Sequence, residues 1–422
     1  MTTYPIRLSS LGGSGENGRN CHLIEDDQGI ILLDCGVKRE IVGDTVGFYP
    51  ALTPQIVRRI RAVFVTHTHE DHVASLPLLY HLGYEGKVYA MPETAVQVPK
   101  FMRKWRNFAL ENGGTLPYEE EDLEKVRFGE IELGEQRVEG IKVTAGRSAH
   151  VLGGVWYVFE LGGRKIFYTG DICLESPSLE LDLPPACDAA IMNGAYAGQQ
   201  MKQEEQFQKL LREAEKTLAR GGKLMLPVPS KGRGIDIALY LDRHLEKRRI
   251  YLEDAVFKSM QSLAEEKAWI RAGYRPELSS KVKLLRTDEE RRKALADSEP
   301  AVYITPDGMI TTPLSLAYLE ALKQKPENKI IITGHAAQGT AGAGILYDEA
   351  WRKKHGVKAE SGRIVIKVHL DDDDIFTLCR KSEVKKLILF HSDASCTEKI
   401  KARLKEDGRE AKTLVWPEAL TV

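Results

Sequence analysis

The stretch Arg61-Ala62-Val63-Phe64-Val65-Thr66-His67-Thr68-His69-Glu70-Asp71-His72 decides how the rest of the chain is read. Its apolar head, RAVFV, reads as a buried strand. The strand runs into the pattern H-x-H-x-D-H, and residues 73–83 (VASLPLLYHLG) then take helical spacing. Four candidate metal donors therefore sit on one strand-to-helix turn. His67 and His69 can reach one ion, while Asp71 and His72 point to the other side and can reach a second. Imidazole nitrogen and carboxylate oxygen suit Zn²⁺, and a site without thiolates can also host Mn²⁺. A lone histidine is usually a hydrogen-bonded core or surface residue, but this spacing at the end of an apolar strand outweighs that reading.

Four donors cannot complete two sites, so the remainder must come from further along. His150 follows AGRSA in a loop between strands, Asp171 ends KIFYTGD where its carboxylate could bridge two ions, and His391 ends KKLILF. Each is a polar residue at the C-terminal end of an apolar strand, where loops gather around a site. Asp34, ending IILLD, is a further strand-end carboxylate, expected to orient the histidines from behind. His22, His81, His244 and His355 read as ordinary structural histidines.

The surrounding sequence has two textures. Before residue 200, short apolar runs alternate with glycine: YPIRLSSLGG from Tyr4, NCHLIEDD, GIILLDCG, KVYAMP, then strands expected at 136–144, 155–161 and 164–169. The charged stretch 118–130 reads as turn or loop. After 200, helices expected at 201–220, 235–248 and within LSLAYLEALKQ alternate with the strands KLMLPVP, RIYLED, AVYIT and NKIIITG, the rhythm of a parallel-sheet α/β unit. IVIKVHL, a helix-like patch and KKLILFHSD close the pattern. Length agrees: 422 residues at roughly 100–200 per domain allow two or three domains. With 42% hydrophobic and 29% charged residues, wholesale disorder is excluded. The six scattered cysteines contain no C-x-x-C pair, which excludes a thiolate zinc cluster. No signal-peptide pattern and no membrane-length apolar run is present, so a cytoplasmic location and no membrane partner are expected. The formal charge of −1 excludes a uniformly basic nucleic-acid binder, yet residues 195–365 carry 30 basic and 23 acidic side chains, so one region is cationic.

The motifs LLDCG, HTHEDH, the AH-VLGG segment at 149–154 and FYTGD resemble, in order, four successive motifs of the metallo-β-lactamase superfamily. More specifically the chain is similar to the β-CASP branch, which includes RNase J and the mRNA 3′-end-processing endonucleases. GGSGENGRN resembles the Gly-rich opening of RNase J; GGKLMLPVPSKGR, VYITPDGMI and IIITGHAAQGTAG resemble segments of the inserted β-CASP domain. The resemblance implies an α/β protein: an αββα metallo-β-lactamase fold over 1–194 and 366–422, interrupted by a parallel-sheet β-CASP domain at 195–365. It implies two divalent ions, zinc before manganese, held by His67, His69 and His150 and by Asp71, His72 and His391, with Asp171 bridging. His369 becomes the candidate general acid, so that Asp71, Asp171 and His369 form the catalytic set, with Asp34 and Asn193 behind them. A histidine at the place of His391 goes with RNA-processing members of the family.

The chain departs from that family in two places. Asn193 stands where an acidic residue is usual, so charge support for a protonated His369 is reduced. Lys367-Val368-His369 replaces the Ser-Gly-His of RNase J, which bears on anchoring of a 5′ phosphate. The sequence also ends soon after His391, so any homodimer is expected to form through a surface other than an RNase J-type C-terminal domain.

The expected activity is hydrolysis of RNA phosphodiester bonds by a hydroxide activated between two metals ~3.5–4 Å apart. Candidate substrate contacts are Lys231, Arg233 and the Gly-rich stretch 334–344 with His335 and Gly339, whose N–H groups could meet phosphate. The segment 99–108 interleaves bases and aromatics, as a stacking surface for single strands would, but the spacing of Phe101, Trp105 and Phe108 equally fits an amphipathic helix burying all three. Two alternatives belong to other classes: a catalytically weakened RNA-binding protein, motivated by Asn193, and a small-molecule metallohydrolase, since the donor set alone does not choose a substrate.

Overall fold

Strands form where the sequence runs apolar between turn residues, and among the described residues they assemble into three large sheets, two mixed and one parallel, and two small two-stranded ones. The computed structural model describes residues 5–246 and 249–422; Tyr4, at the head of the first expected strand, and Lys247 and Arg248, at the end of an expected helix, lie outside them. The described chain divides into two units. One comprises Met1–Leu174, Leu179–Gln200 and His369–Val422; the other comprises Glu175–Ser178 and Met201–Val368.

The first unit holds two seven-stranded sheets. One runs, from edge to edge, Leu420–Thr421, Arg7–Gly12, Cys21–Asp26, Gly29–Leu33, Ile60–Phe64, Val88–Ala90 and Phe128–Glu130. The other runs Gly134–Val138, Ile141–Arg147, Val155–Leu161, Arg164–Tyr168, Ala189–Asn193, Lys386–Phe390 and Glu410–Lys412. In each sheet three antiparallel pairings are followed by three parallel ones. The sheets face each other through aromatic contacts: the Phe64 ring packs 5.5 Å from Tyr157 and 5.0 Å from Phe159. Their outer faces are covered by helices. Val73, Leu76, Leu79 and Met102 pack on one, and Ile375, Leu378, Ile400 and Leu404 on the other. The result is an αββα sandwich, in which strands buried on both sides read as continuous apolar runs.

The second unit is a six-stranded, all-parallel sheet in the order Val282–Leu285, Arg249–Glu253, Ala301–Thr305, Leu224–Pro227, Lys329–Ile332, Glu360–Arg363. Its connecting helices include Gln203–Ala219, Arg233–His244 and Pro313–Leu322.

Two local expectations need correction. Residues 118–130 are not loop: Glu120–Lys125 is a helix and Phe128–Glu130 an edge strand. The helix is held at its start by the Asp122 carboxylate, which accepts from the Glu119 N–H at 2.9 Å. The single strand expected at 136–144 is a hairpin, because Glu139 and Gly140 both take left-handed backbone (φ 48° and 77°) and reverse the chain. IVIKVHL forms no regular strand, although Ile364, Val365 and Ile366 are buried. No disulfide joins any of the six cysteines, all of which are among the described residues. Among the described residues no helix is long and apolar enough to cross a membrane.

Candidate metal centre

The H-x-H-x-D-H turn is fixed from behind before any metal is considered. Asp34 ends the Gly29–Leu33 strand with left-handed backbone (φ 56°), a conformation costly for a non-glycine residue. Its buried carboxylate accepts from Thr66 N–H and Thr66 Oγ at 2.8 Å each, from Tyr168 O–H at 2.6 Å and from His72 Nδ1 at 2.7 Å. One anion thus ties the strand end, the facing sheet and a histidine together. The main chain adds two further ties: Asn20 N–H donates to Asp71 O at 2.8 Å and Cys35 N–H to His72 O at 2.7 Å. Gly36 is required by close approach, since a Cβ there would sit 1.7 Å from Asp71 O.

Two groups of donors converge on this turn. His67, His69, His150 and Asp171 each offer one atom, all within 4.8 Å of one another, and so do Asp71, His72 and His391. In the first group His69 Nδ1 lies 3.1 Å from His67 Nε2 and 3.3 Å from His150 Nε2. Asp171 stands between the groups. Its Oδ2 is 3.5 Å from both His67 Nε2 and His150 Nε2 and 3.7 Å from His391 Nε2, while its Oδ1 is 3.4 Å from His72 Nε2. His391 Nε2 also meets Asp71 Oδ2 at 3.0 Å. Ala149 (φ 55°) and His391 (φ 65°) share the left-handed backbone of Asp34, so three strained residues flank one cluster.

The electrostatics divide the donors. Burial, reinforced by neighbouring His72, pushes His67 well below the usual imidazole range, and burial beside His150 lowers His69 to about 3. Both are neutral lone-pair donors near pH 7. Burial would raise Asp171, but His72, His391 and His369 hold it well below the carboxylate range. Burial would lower His72, but Asp171, Asp71 and Asp34 raise it well above its ordinary value; His391 is raised against burial by Asp171 and Asp71. A divalent ion among these carboxylates would take the place of protons on the two histidines. Neutral imidazoles and ionised carboxylates converging this closely fit two divalent ions.

Around the cluster, Asn193 Nδ2 donates to Asp171 Oδ1 at 2.8 Å, and Asn193 Oδ1 accepts from Ala195 N–H at 3.2 Å. His369 Nδ1 lies 3.7 Å from Asp171 Oδ2, and its ring meets Tyr196 edge-on at 5.3 Å. The four other candidates belong to the second unit. Lys231, His335 and Gly339 are exposed, and Arg233 is half-buried beside Gly334, its buried Nε without a hydrogen-bond partner.

Sequence reasoning missed Thr66, Tyr168, Asn20 and Tyr196. Asn20 Nδ2 donates to Asp71 Oδ2 at 3.2 Å and lies 2.9 Å from His72 Nε2. Its position at the end of GGSGENGRN was the available signal. The segment 99–108 proves helical (Val98–Glu111), with Trp105 and Met102 buried and Phe101 and Phe108 partly so.

An αββα sandwich that gathers imidazoles and carboxylates at its strand ends defines a class, that of metal-dependent hydrolase scaffolds. The family model described as "Metallo-beta-lactamase superfamily" matches residues 14–221, and that described as "Beta-Casp domain" matches 230–345. The chain belongs to the metallo-β-lactamase superfamily, in its β-CASP branch. Among curated relatives it is 28% identical over 382 residues to the transcription termination factor FttA of Methanosarcina mazei, covering 82% of this chain and 58% of that one. It is 29% identical over 379 residues to the FttA of Methanocaldococcus jannaschii, covering 83% and 59%. The chain thus spans under two thirds of the length of these relatives. A solved structure of a protein of unknown function from Enterococcus faecalis shares the fold, with a TM-score of 0.61 at 14% identity over 99% of this chain and 100% of that one.

Proposed function

We propose that the chain is a metal-dependent ribonuclease that hydrolyses RNA phosphodiester bonds. The observation that carries this reading is the convergence of seven donors in two groups, with Asp171 between them. On this reading residues 1–194 and 366–422 form the metallo-β-lactamase part and 195–365 the inserted β-CASP domain. Two bound divalent ions, zinc before manganese, would supply Lewis acidity, acidifying a water and drawing charge from the phosphate oxygens. His67, His69 and His150 would hold one, Asp71, His72 and His391 the other, and Asp171 both.

The chain's own residues do the rest. Asp34 fixes His72 by its Nδ1 and so aims Nε2 into the cluster. Asn193 fixes the rotation of the Asp171 carboxylate. His369, with 14% side-chain exposure beside the cluster, is placed to pass a proton to the departing 3′ oxygen, leaving a 5′ phosphate. Tyr196 braces that ring from its edge. RNA is favoured over a small substrate by the cationic composition of 195–365, with Lys231, Arg233 and the 334–344 backbone as phosphate contacts, and by relatives named as transcription termination factors.

The test is hydrolysis of 5′-labelled RNA by metal-loaded protein. His69→Ala and Asp171→Ala should each reduce cleavage by about 100-fold or more while far-UV circular dichroism stays unchanged. Undiminished cleavage by either variant refutes the reading.

A further inference from the structure

Within the same unit as the metal turn, a groove of about 590 Å³ is lined by Arg39, Lys100, Arg103, Lys104, Phe108 and Glu111, together with Asn107. Its floor is the Val98–Glu111 helix, which buries Val98, Met102, Trp105 and Ala109 and turns Lys100, Arg103 and Lys104 to solvent. Its wall is the hairpin Lys38–Val42/Thr45–Phe48, which brings the Arg39 guanidinium 3.8 Å over the Phe108 ring. Stacked there, the guanidinium is a flat, pre-oriented cation, the form that suits phosphates and unstacked bases.

The charges do not cancel. Arg39 and Lys104 share one carboxylate, Glu70, at 3.2 Å and 3.1 Å. Arg103 pairs with Glu124 at 2.8 Å, but both side chains are more than half exposed, and such a pair holds little in water. Lys100 adds a fourth cation against Glu111. Four bases against Glu70, Glu111 and Glu124 leave one net positive charge along the groove. Glu70, which pairs with two of the groove's bases, stands in the chain between His69 and Asp71, so the groove borders the metal turn.

We infer that this groove carries the backbone of single-stranded RNA, its phosphates taking Arg39 and Lys104 from Glu70 and adding Lys100 and Arg103. The inference rests on the ribonuclease reading, and it adds a binding track on the metal-bearing unit itself. The link through Glu70 to the metal turn favours RNA over an acidic protein partner, which would need no such link.

The experiment uses the full, metal-loaded chain and a cleavage-resistant phosphorothioate RNA 20-mer, so that binding is read without hydrolysis. Lys100→Gln, Arg103→Gln and Lys104→Gln are combined in one variant; glutamine keeps helix propensity at exposed positions, and circular dichroism verifies the fold. A control variant removes three charges from the other sheet: Arg137→Gln, Arg164→Gln and Lys165→Gln. The groove variant should bind on the order of tenfold or more weakly at ~0.1 M salt, with the slope of log K against log salt reduced by about 2, at roughly 0.7 per lost contact. The control should match the parent. Equal losses in both variants, or no loss in the groove variant, overturn the groove, the second result being the one an acidic protein partner predicts. Cleavage of an unmodified 20-mer by the parent is scored separately. A parent that binds but does not cleave sinks the hydrolytic reading and leaves the binding comparison to decide the groove.

Discussion

Asn193 shows how one side chain changes the chemistry expected of a position. An acidic residue there would set a second carboxylate where Nδ2 now donates to Asp171 at 2.8 Å. Asparagine instead supplies a donor, and the carboxylate facing His369 is Asp171 itself at 3.7 Å. Asn193→Asp should therefore lower metal retention by about tenfold to 100-fold, read as metal content after dialysis. Unchanged content would show that the hydrogen bond does not position Asp171. Seven of the residues now seen together, from His67 to His391, were legible in the sequence because each polar side chain ends an apolar run. Thr66, Tyr168 and Asn20 were not, because their roles come from a carboxylate or imidazole distant in sequence. Tyr168 reads as an apolar strand residue until its hydroxyl is seen 2.6 Å from Asp34.

At the scale of elements, the approach of one backbone to another decides whether the metal turn forms. Gly36 passes so close to Asp71 O that even a methyl group must displace the turn. Gly36→Ala should abolish metal binding and lower the thermal midpoint, and a variant that retains full metal content would contradict the close packing. Trp105, fully buried between the Val98–Glu111 helix and the adjoining hairpin, should cost about 3–5 kcal/mol when truncated to alanine, measured by denaturant unfolding. That helix was legible only in part: the periodicity offered burial of three aromatics, but Phe108 remains half-buried with Arg39 stacked on it. The helix Glu120–Lys125 escaped notice because it has one buried apolar residue, Leu123, and starts from a glutamate rather than a usual capping residue. The hairpin at 134–147 escaped because Glu-Gly is a weaker turn signal than Asn-Gly or Asp-Gly.

At the scale of the whole molecule, the candidate metal donors found among the described residues all lie in one unit and none in the other. Calorimetry should resolve two transitions, only one of which falls when a chelator is added; equal shifts in both would contradict this. The second transition carries its own pH signature. Burial raises the Asp236 carboxyl from 3.8 to about 6, against hydrogen bonds from Ser178 and Tyr274 that lower it. A raised carboxyl contributes stability that is complete below pH ~4 and is lost as pH rises through ~6. At pH 7.5 the cost is on the order of 3 kcal/mol, so Asp236→Asn should raise this transition at pH 7.5 and leave it nearly unchanged at pH 4. The alternation of strand and helix made the parallel sheet legible, and the apolar runs revealed the strands of the sandwich. The order of strands was not legible, because pairings such as Arg7–Gly12 with Leu420–Thr421 join residues hundreds of positions apart.

That closure has a consequence during synthesis. Ser14–Gly15 pairs with Ser392–Asp393, and His391 N–H donates to Gly13 O. A ribosome therefore releases His67, His69, Asp71 and His72 more than 300 residues before His391 arrives to complete the second donor group. Once Asp171 has emerged, and until His391 follows, the nascent chain holds every member of the four-donor group but not of the three-donor one. Completion of the three-donor group is thus a late event, timed by the emergence of the Lys386–Phe390 strand that carries His391.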